Sequence, residues 1–176
     1  GATMGSGGMI VVDQDTCMVE FAKYFLTFAS AESCGKCVPC RIGGRRLLEV
    51  LTRISDGQGE AKDLDEIEYI SRNMQQASLC ALGQLTPGPV MAALRFFREE
   101  YEAHIYQKKC PAKVCKGLIT YSVIDDKCTG CMVCARNCPA HAITGEKRQV
   151  HVINLDICER CGICLTVCKF DAILVS

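Results

Sequence analysis

The chain has 176 residues, 20 Lys plus Arg against 20 Asp plus Glu, 15 Gly, no Trp and 15 Cys. Balanced charge with no basic run excludes a whole-chain electrostatic footprint for nucleic acid or an anionic membrane, and 49% apolar residues argue against disorder. No apolar stretch approaches the roughly 18 to 20 residues of a membrane helix and no leader-like segment opens the chain, so the expectation is a cytoplasmic protein without membrane insertion.

In chain order, Gly1 to Gly8 holds four glycines and Met9-Ile10-Val11-Val12 then reads as a short strand. An opening of this kind resembles a joint, and the expectation is a chain cut from something larger. Thr16 is placed to cap a first helix whose apolar set is Met18, Phe21, Ala22, Phe25 and Phe28-Ala29, ending near Ala31. Leu47, Leu48, Leu51 and Ile54 mark a second, stopped by Ser55 to Gly59. Asp63 and Glu66 form a capping-box-like start for a third, carrying Leu64, Ile67, Ile70 and Met74. Thr86-Pro87 opens a fourth, with Val90, Leu94, Phe97 and Tyr101 on one face to about His104. Short connections between four amphipathic helices predict an up-and-down bundle.

The last third repeats with a period of 30: Asp126 matches Asp156, Cys128-Cys131-Cys134-Cys138 matches Cys158-Cys161-Cys164-Cys168, and Ala142-Ile143 matches Ala172-Ile173. Each half predicts a strand (Leu118 to Ile124, Val150 to Ile153), a cysteine loop, a helical turn and an apolar exit, with Gly145-Glu146-Lys147 as the turn between halves. The fold class is therefore α+β. The expected divisions are a leader and strand over 1–15, a helical bundle over 16–105, a hinge over 106–117 and the duplicated module over 118–176.

Eleven of the cysteines fall in C-x2-C runs, a spacing that converges thiols on one metal or cluster and that a disulfide framework has no reason to repeat. Such thiols persist in a reducing compartment. The first run of the repeat, ending Cys138-Pro139, fits the bacterial ferredoxin pattern for two [4Fe-4S] clusters, and Lys169 replaces the proline in the second. That resemblance implies crossed ligation, with Cys128, Cys131, Cys134 and Cys168 on one cluster and Cys158, Cys161, Cys164 and Cys138 on the other. Two zinc ribbons would need separated knuckles that this spacing lacks. His141 and His151 read as surface residues.

Cys34, Cys37 and Cys40 lie between the first two helices and Cys80 between the last two, so an up-and-down bundle puts all four at one end, enough for a third [4Fe-4S] cluster. The competing reading makes Cys80 a buried small hydrophobe and the three-cysteine loop a zinc site. Lys36, Arg41, Arg45 and Arg46 either balance a negative cluster or form a solvated face. Cys17 and His104 fall at the opposite end, with Cys110 and Cys115 just beyond. Three Cys and one His make a common structural zinc set, here at the hinge, against the alternative of scattered buried cysteines and a surface histidine.

Glu32-Ser33-Cys34-Gly35-Lys36-Cys37-Val38-Pro39-Cys40-Arg41-Ile42-Gly43 with Ser78-Leu79-Cys80 resembles the C-terminal bundle of the NADH-binding flavoprotein subunit of respiratory complex I. Gly5 to Val12 resembles the approach to that bundle. A bundle followed by a two-cluster ferredoxin domain is similar to the beta subunit of electron-bifurcating, NAD-dependent iron-only hydrogenases and of related formate dehydrogenases. The resemblance implies electron transfer through three [4Fe-4S] clusters within a multi-subunit oxidoreductase, with soluble ferredoxin as a further partner. It places FMN and NADH in an upstream domain, since no glycine-rich nucleotide loop follows a strand in these residues. A complex I-like NADH:quinone oxidoreductase subunit, an NAD-dependent formate dehydrogenase subunit and a non-redox zinc module are the alternatives. No general base or nucleophile stands out.

Overall fold

The computed structural model describes Gly7 and residues 9–176. The chain forms two compact units, Gly1–Leu118 and Ile119–Ser176.

The first unit is helical: α1 (Met18–Ala31), α2 (Val38–Ser55), α3 (Lys62–Ala77), α4 (Ala81–Leu85), α5 (Gly88–Phe96) and α6 (Arg98–Glu102), the last running into a π-helical turn over Ala103–Gln107. The first helix packs on α2 and α5, and α2 on α3. Their shared core is Leu26 with Leu47, Leu51, Ile54, Ile67, Met74, Val90 and Tyr101, each almost wholly shielded from water. These apolar stripes recur at three and four residues, and burying them is what holds the helices together. Asp63, fully buried, ties α3 back to its neighbours: its carboxylate accepts from the Glu60 N–H at 2.8 Å and pairs with Arg53 of α2.

Four expectations change here. The fourth helix is not continuous, because Pro87 and Pro89 lack the N–H groups that would carry α4 into α5, and Phe97 (φ -129°, ψ 37°) breaks the chain again before α6. Phe97 is consequently exposed, although Val90, Leu94 and Tyr101 are buried as the stripe predicts. The first helix is rotated from its expected face: Ala22 is buried as expected, but beside Val19 and Leu26, while Phe28 is 63% exposed. So much of this helix is apolar that periodicity offers two faces, and the face with the small Ala22 packs closest. Third, Met9 to Val12 form no strand and are exposed. The glycine-rich leader, apart from Gly7, lies outside the described residues. Fourth, the 106–117 segment belongs to the first unit: Lys108 donates to the Gly59 carbonyl at 2.7 Å, and Gly117 lies flat against Asp56 at the end of α2.

The second unit is built from two antiparallel pairs and two short helices. Strand β1 (Tyr121–Val123) pairs with β4 (Ile173–Val175), Tyr121 opposite Val175, and β2 (Ile143–Thr144) pairs with β3 (Val152–Ile153), Ile143 opposite Ile153. The strand that enters one half thus pairs with the strand that leaves the other. Helices α7 (Val133–Asn137) and α8 (Ile163–Val167) pack together between them. The repeat is preserved in backbone detail: Met132 and Gly162 both enter their helices with left-handed φ, 67° and 79°.

Candidate iron-sulfur and metal sites

In the bundle, Cys37 caps α2, Cys40 sits in its first turn and Cys80 caps α4. The two loops are in contact. The backbone N–H groups of Leu79 and Cys40 beside Cys37 favour its thiolate and lower its proton affinity. Ser33 Oγ lies 3.3 Å from Cys40 Sγ. The close approach depends on Gly83, where a Cβ would stand 2.6 Å from Ser78 Oγ and 2.9 Å from Cys40 Cβ. Cys34 and Cys80 face outward and Cys40 is buried. Thiols on two adjoining loops, with backbone N–H groups beside Cys37, have the chemistry an iron-sulfur cluster requires of its surroundings.

In the second unit each loop puts its third cysteine at a short helix: Cys134 on α7 and Cys164 on α8, both buried. Burial raises both thiols, Cys164 to about 11, and neighbouring cysteines add to it: Cys131 and Cys128 around Cys134, Cys158 and Cys161 around Cys164. Crowded, desolvated thiols resist ionising together, and a bound cation or cluster removes that penalty. The fourth cysteines take equivalent places, Cys138 accepting from the Ala142 N–H at 3.3 Å and Cys168 from the Ala172 N–H at 3.4 Å. Gly130 has φ 67°, and a Cβ there would stand 2.4 Å from the Gln149 N, so the first loop closes only with glycine.

The remaining three cysteines converge with His104. The ligand atoms of Cys17, His104, Cys110 and Cys115 all lie within 4.8 Å of one another, and all four residues are buried. His104 Nε2 is 3.3 Å from both Cys17 Sγ and Cys115 Sγ, and the two sulfurs are 3.6 Å apart. A disulfide would be about 2.05 Å, whereas thiolates about 2.3 Å from a tetrahedral zinc stand about 3.8 Å apart. His104 is aimed by its other nitrogen, Nδ1, which donates to the Glu100 carbonyl at 2.7 Å and leaves Nε2 for the cysteines. Glu100 also accepts from the Met18 N–H at 3.0 Å, fixing the start of α1 beside Cys17. Burial opposes charge on His104, but its hydrogen bonds to Cys110 and Cys17 prevail and push the imidazole up to about 10. Cys110 and Cys115, hydrogen-bonded to each other, split in opposite directions, Cys110 down and Cys115 up. This is a donor set in which the groups compete for protons, and it fits a divalent soft cation. All four residues lie in the first unit, so the cluster fastens the 108–118 segment to the bundle.

His141 is exposed, whereas His151 corrects its expected surface placement: it is 2% exposed, with Nδ1 3.8 Å from Cys128 Sγ and Nε2 3.1 Å from Met132 Sδ. The repeat carried the signal, since His151 is the counterpart of Tyr121 one period earlier. Ser33 and Ser78, part of the motif that carries the resemblance, stand beside Cys40 and Gly83.

Residues 20–104 match the NADH-ubiquinone oxidoreductase-F iron-sulfur binding region, and residues 127–172 match the 4Fe-4S dicluster domain. The chain therefore carries, one after the other, regions similar to these two kinds of iron-sulfur domain. Among relatives, it is 50% identical over 171 residues to the NADP-reducing hydrogenase subunit HndC of Solidesulfovibrio fructosivorans, a match covering 97% of this chain and 35% of that one. It is 42% identical over 111 residues to an NADH-quinone oxidoreductase subunit of Rhizobium meliloti (strain 1021), covering 63% of this chain and 26% of that one. An NAD+-reducing [NiFe]-hydrogenase in its H2-reduced state superposes with a TM-score of 0.52 and 30% identity, covering 54% of this chain and 16% of the other. The chain thus spans about a third or less of the proteins it matches. Among the described residues no helix is long and apolar enough to cross a membrane.

Proposed function

We propose that the chain conducts electrons through three [4Fe-4S] clusters as part of an NADH-linked flavoprotein subunit in a multi-subunit, hydrogenase-type oxidoreductase. The observation that carries this is the succession of the two iron-sulfur regions in one chain, matched almost end to end by a hydrogenase subunit. Cys34, Cys37, Cys40 and Cys80 hold the bundle cluster. In the second unit Cys128, Cys131, Cys134 and Cys168 hold one cluster, and Cys158, Cys161, Cys164 and Cys138 the other. Cys17, His104, Cys110 and Cys115 hold zinc as a structural fastener. The clusters supply one-electron chemistry, while the protein fixes their positions and sets their potentials through burial, charge and hydrogen bonds to sulfur.

FMN and NAD bind outside these residues in the whole protein, and other subunits of a cytoplasmic complex, with soluble ferredoxin as second carrier, complete an electron-bifurcating assembly. Metal and acid-labile sulfide analysis of anaerobically purified protein tests the cofactor assignment. About twelve iron, twelve sulfide and one zinc per chain are expected. Iron near eight refutes the bundle cluster, and zinc alone refutes the redox reading.

A further inference from the structure

Resting on the cluster reading above, one pair of residues makes the two halves of the second unit inequivalent. The period-30 repeat aligns Tyr121 with His151 and Met132 with Gly162. Each of the first pair crosses to the opposite half. Tyr121, on β1, directs its hydroxyl at the second cysteine run: Oη is 3.1 Å from the position of a Cβ on Gly162. Its phenol is raised by burial and then by Cys164, Cys161 and Cys158. His151 reaches the first run instead, between Cys128 Sγ at 3.8 Å and Met132 Sδ at 3.1 Å, with almost no access to water.

Both ring nitrogens of His151 therefore face sulfur. A thioether cannot donate and accepts weakly, whereas a ligating thiolate carries charge and accepts strongly. A neutral imidazole has one N–H, and the stronger acceptor draws it to Nδ1, toward Cys128. Among the described residues Tyr121 makes no hydrogen bond to a cysteine, so of these two matching side chains only His151 brings a ring N–H to a cysteine run. A hydrogen bond to a ligand sulfur strengthens as its cluster gains an electron, and so favours the reduced form.

We propose that His151 is a positioning residue that acts through Cys128, its Nδ1–H hydrogen bond holding the first-run cluster at a higher reduction potential than the second-run cluster.

The test is an EPR-monitored redox titration of the full, cluster-loaded chain with His151→Phe and His151→Asn, iron and sulfide being counted in every sample. His151→Phe keeps a ring and removes the donor, and should shift the reduced-to-oxidised ratio of one cluster about tenfold toward oxidised at fixed potential. That is about 59 mV downward for a one-electron couple. His151→Asn restores a side-chain N–H near the Nδ1 position and should recover most of the shift. A fully loaded His151→Phe protein with all potentials unchanged overturns the proposal, whereas a parent protein without iron overturns the cluster reading itself. Should the variants lose their clusters, pulsed EPR on otherwise unchanged protein bearing His141→Gln and 15N-labelled histidine decides: a histidine nitrogen coupled to one reduced cluster supports the role, and no coupling overturns it.

Discussion

Replacing Gly83 by alanine should empty the bundle cluster while leaving the second unit loaded. Gly83 stands where α4 meets α2, and its missing side chain is what lets Ser78 and Cys40 approach. An added Cβ would lie 2.6 Å from Ser78 Oγ, 2.7 Å from Ser78 Cβ and 2.9 Å from Cys40 Cβ. Favourable carbon contacts fall at about 3.5 to 4.0 Å, so each neighbour must retreat by roughly 1 Å. The Ser78 hydroxyl can rotate away, but its Cβ and that of Cys40 move only with their backbones. Wedging in one methyl at such a contact costs about 1 to 3 kcal/mol, which for a domain of this size lowers the midpoint of thermal unfolding by about 5 to 15 °C. The displacement also parts Cys40 from the loop that holds Leu79 and Cys80, and a rigid four-iron cube cannot follow it. Iron should drop from about twelve to about eight per chain. Gly88→Ala is the control, since beyond its chain neighbours nothing lies within 4 Å of its added Cβ. That variant should keep all its iron. A Gly83→Ala protein with full iron and an unchanged midpoint would refute the reasoning.

Three further expectations follow from the same geometry. His104→Ala should remove about one zinc per chain and leave iron unchanged, with proteolysis between residues 106 and 118 accelerated as that segment loses its fastening; retention of zinc would reject the ligand assignment. Cys168→Ala should damage the cluster of the first run, and loss confined to the second run, read by EPR, would sink the crossed ligation. Arg53→Met leaves the fully buried Asp63 carboxylate with only the Glu60 N–H as partner. It should cost about 2 to 4 kcal/mol in denaturant unfolding, below the full range for a buried pair because Arg53 is itself 26% exposed; a loss under about 0.5 kcal/mol would show the pair to be energetically idle.

What the sequence determined alone is the local chemistry. The C-x2-C step, repeated at a spacing of 30, needs no tertiary information to converge thiols, because three residues of chain already bring two sulfurs to one point. The stripes of α2 and α3 were legible for the same reason: each is strongly two-faced, and one turn of helix decides which side is apolar. Where a segment offered more than one solution, packing chose. The first helix has apolar residues around much of its circumference, and only the neighbouring helices selected Val19, Ala22 and Leu26 over Phe28. The breaks at Pro87 and Phe97 and the π-helical turn after α6 re-aim the chain so that Tyr101 and His104 are buried, a consequence of contacts with distant residues such as Cys17 and Met18. His151 is the clearest case: nothing next to it in the chain marks a buried residue, and the pairing of β3 with β2 is what folds its ring onto Cys128, 23 residues away. Ligand type and spacing are short-range and were fixed before folding; which donors surround each sulfur is long-range, and only the assembled structure decided it.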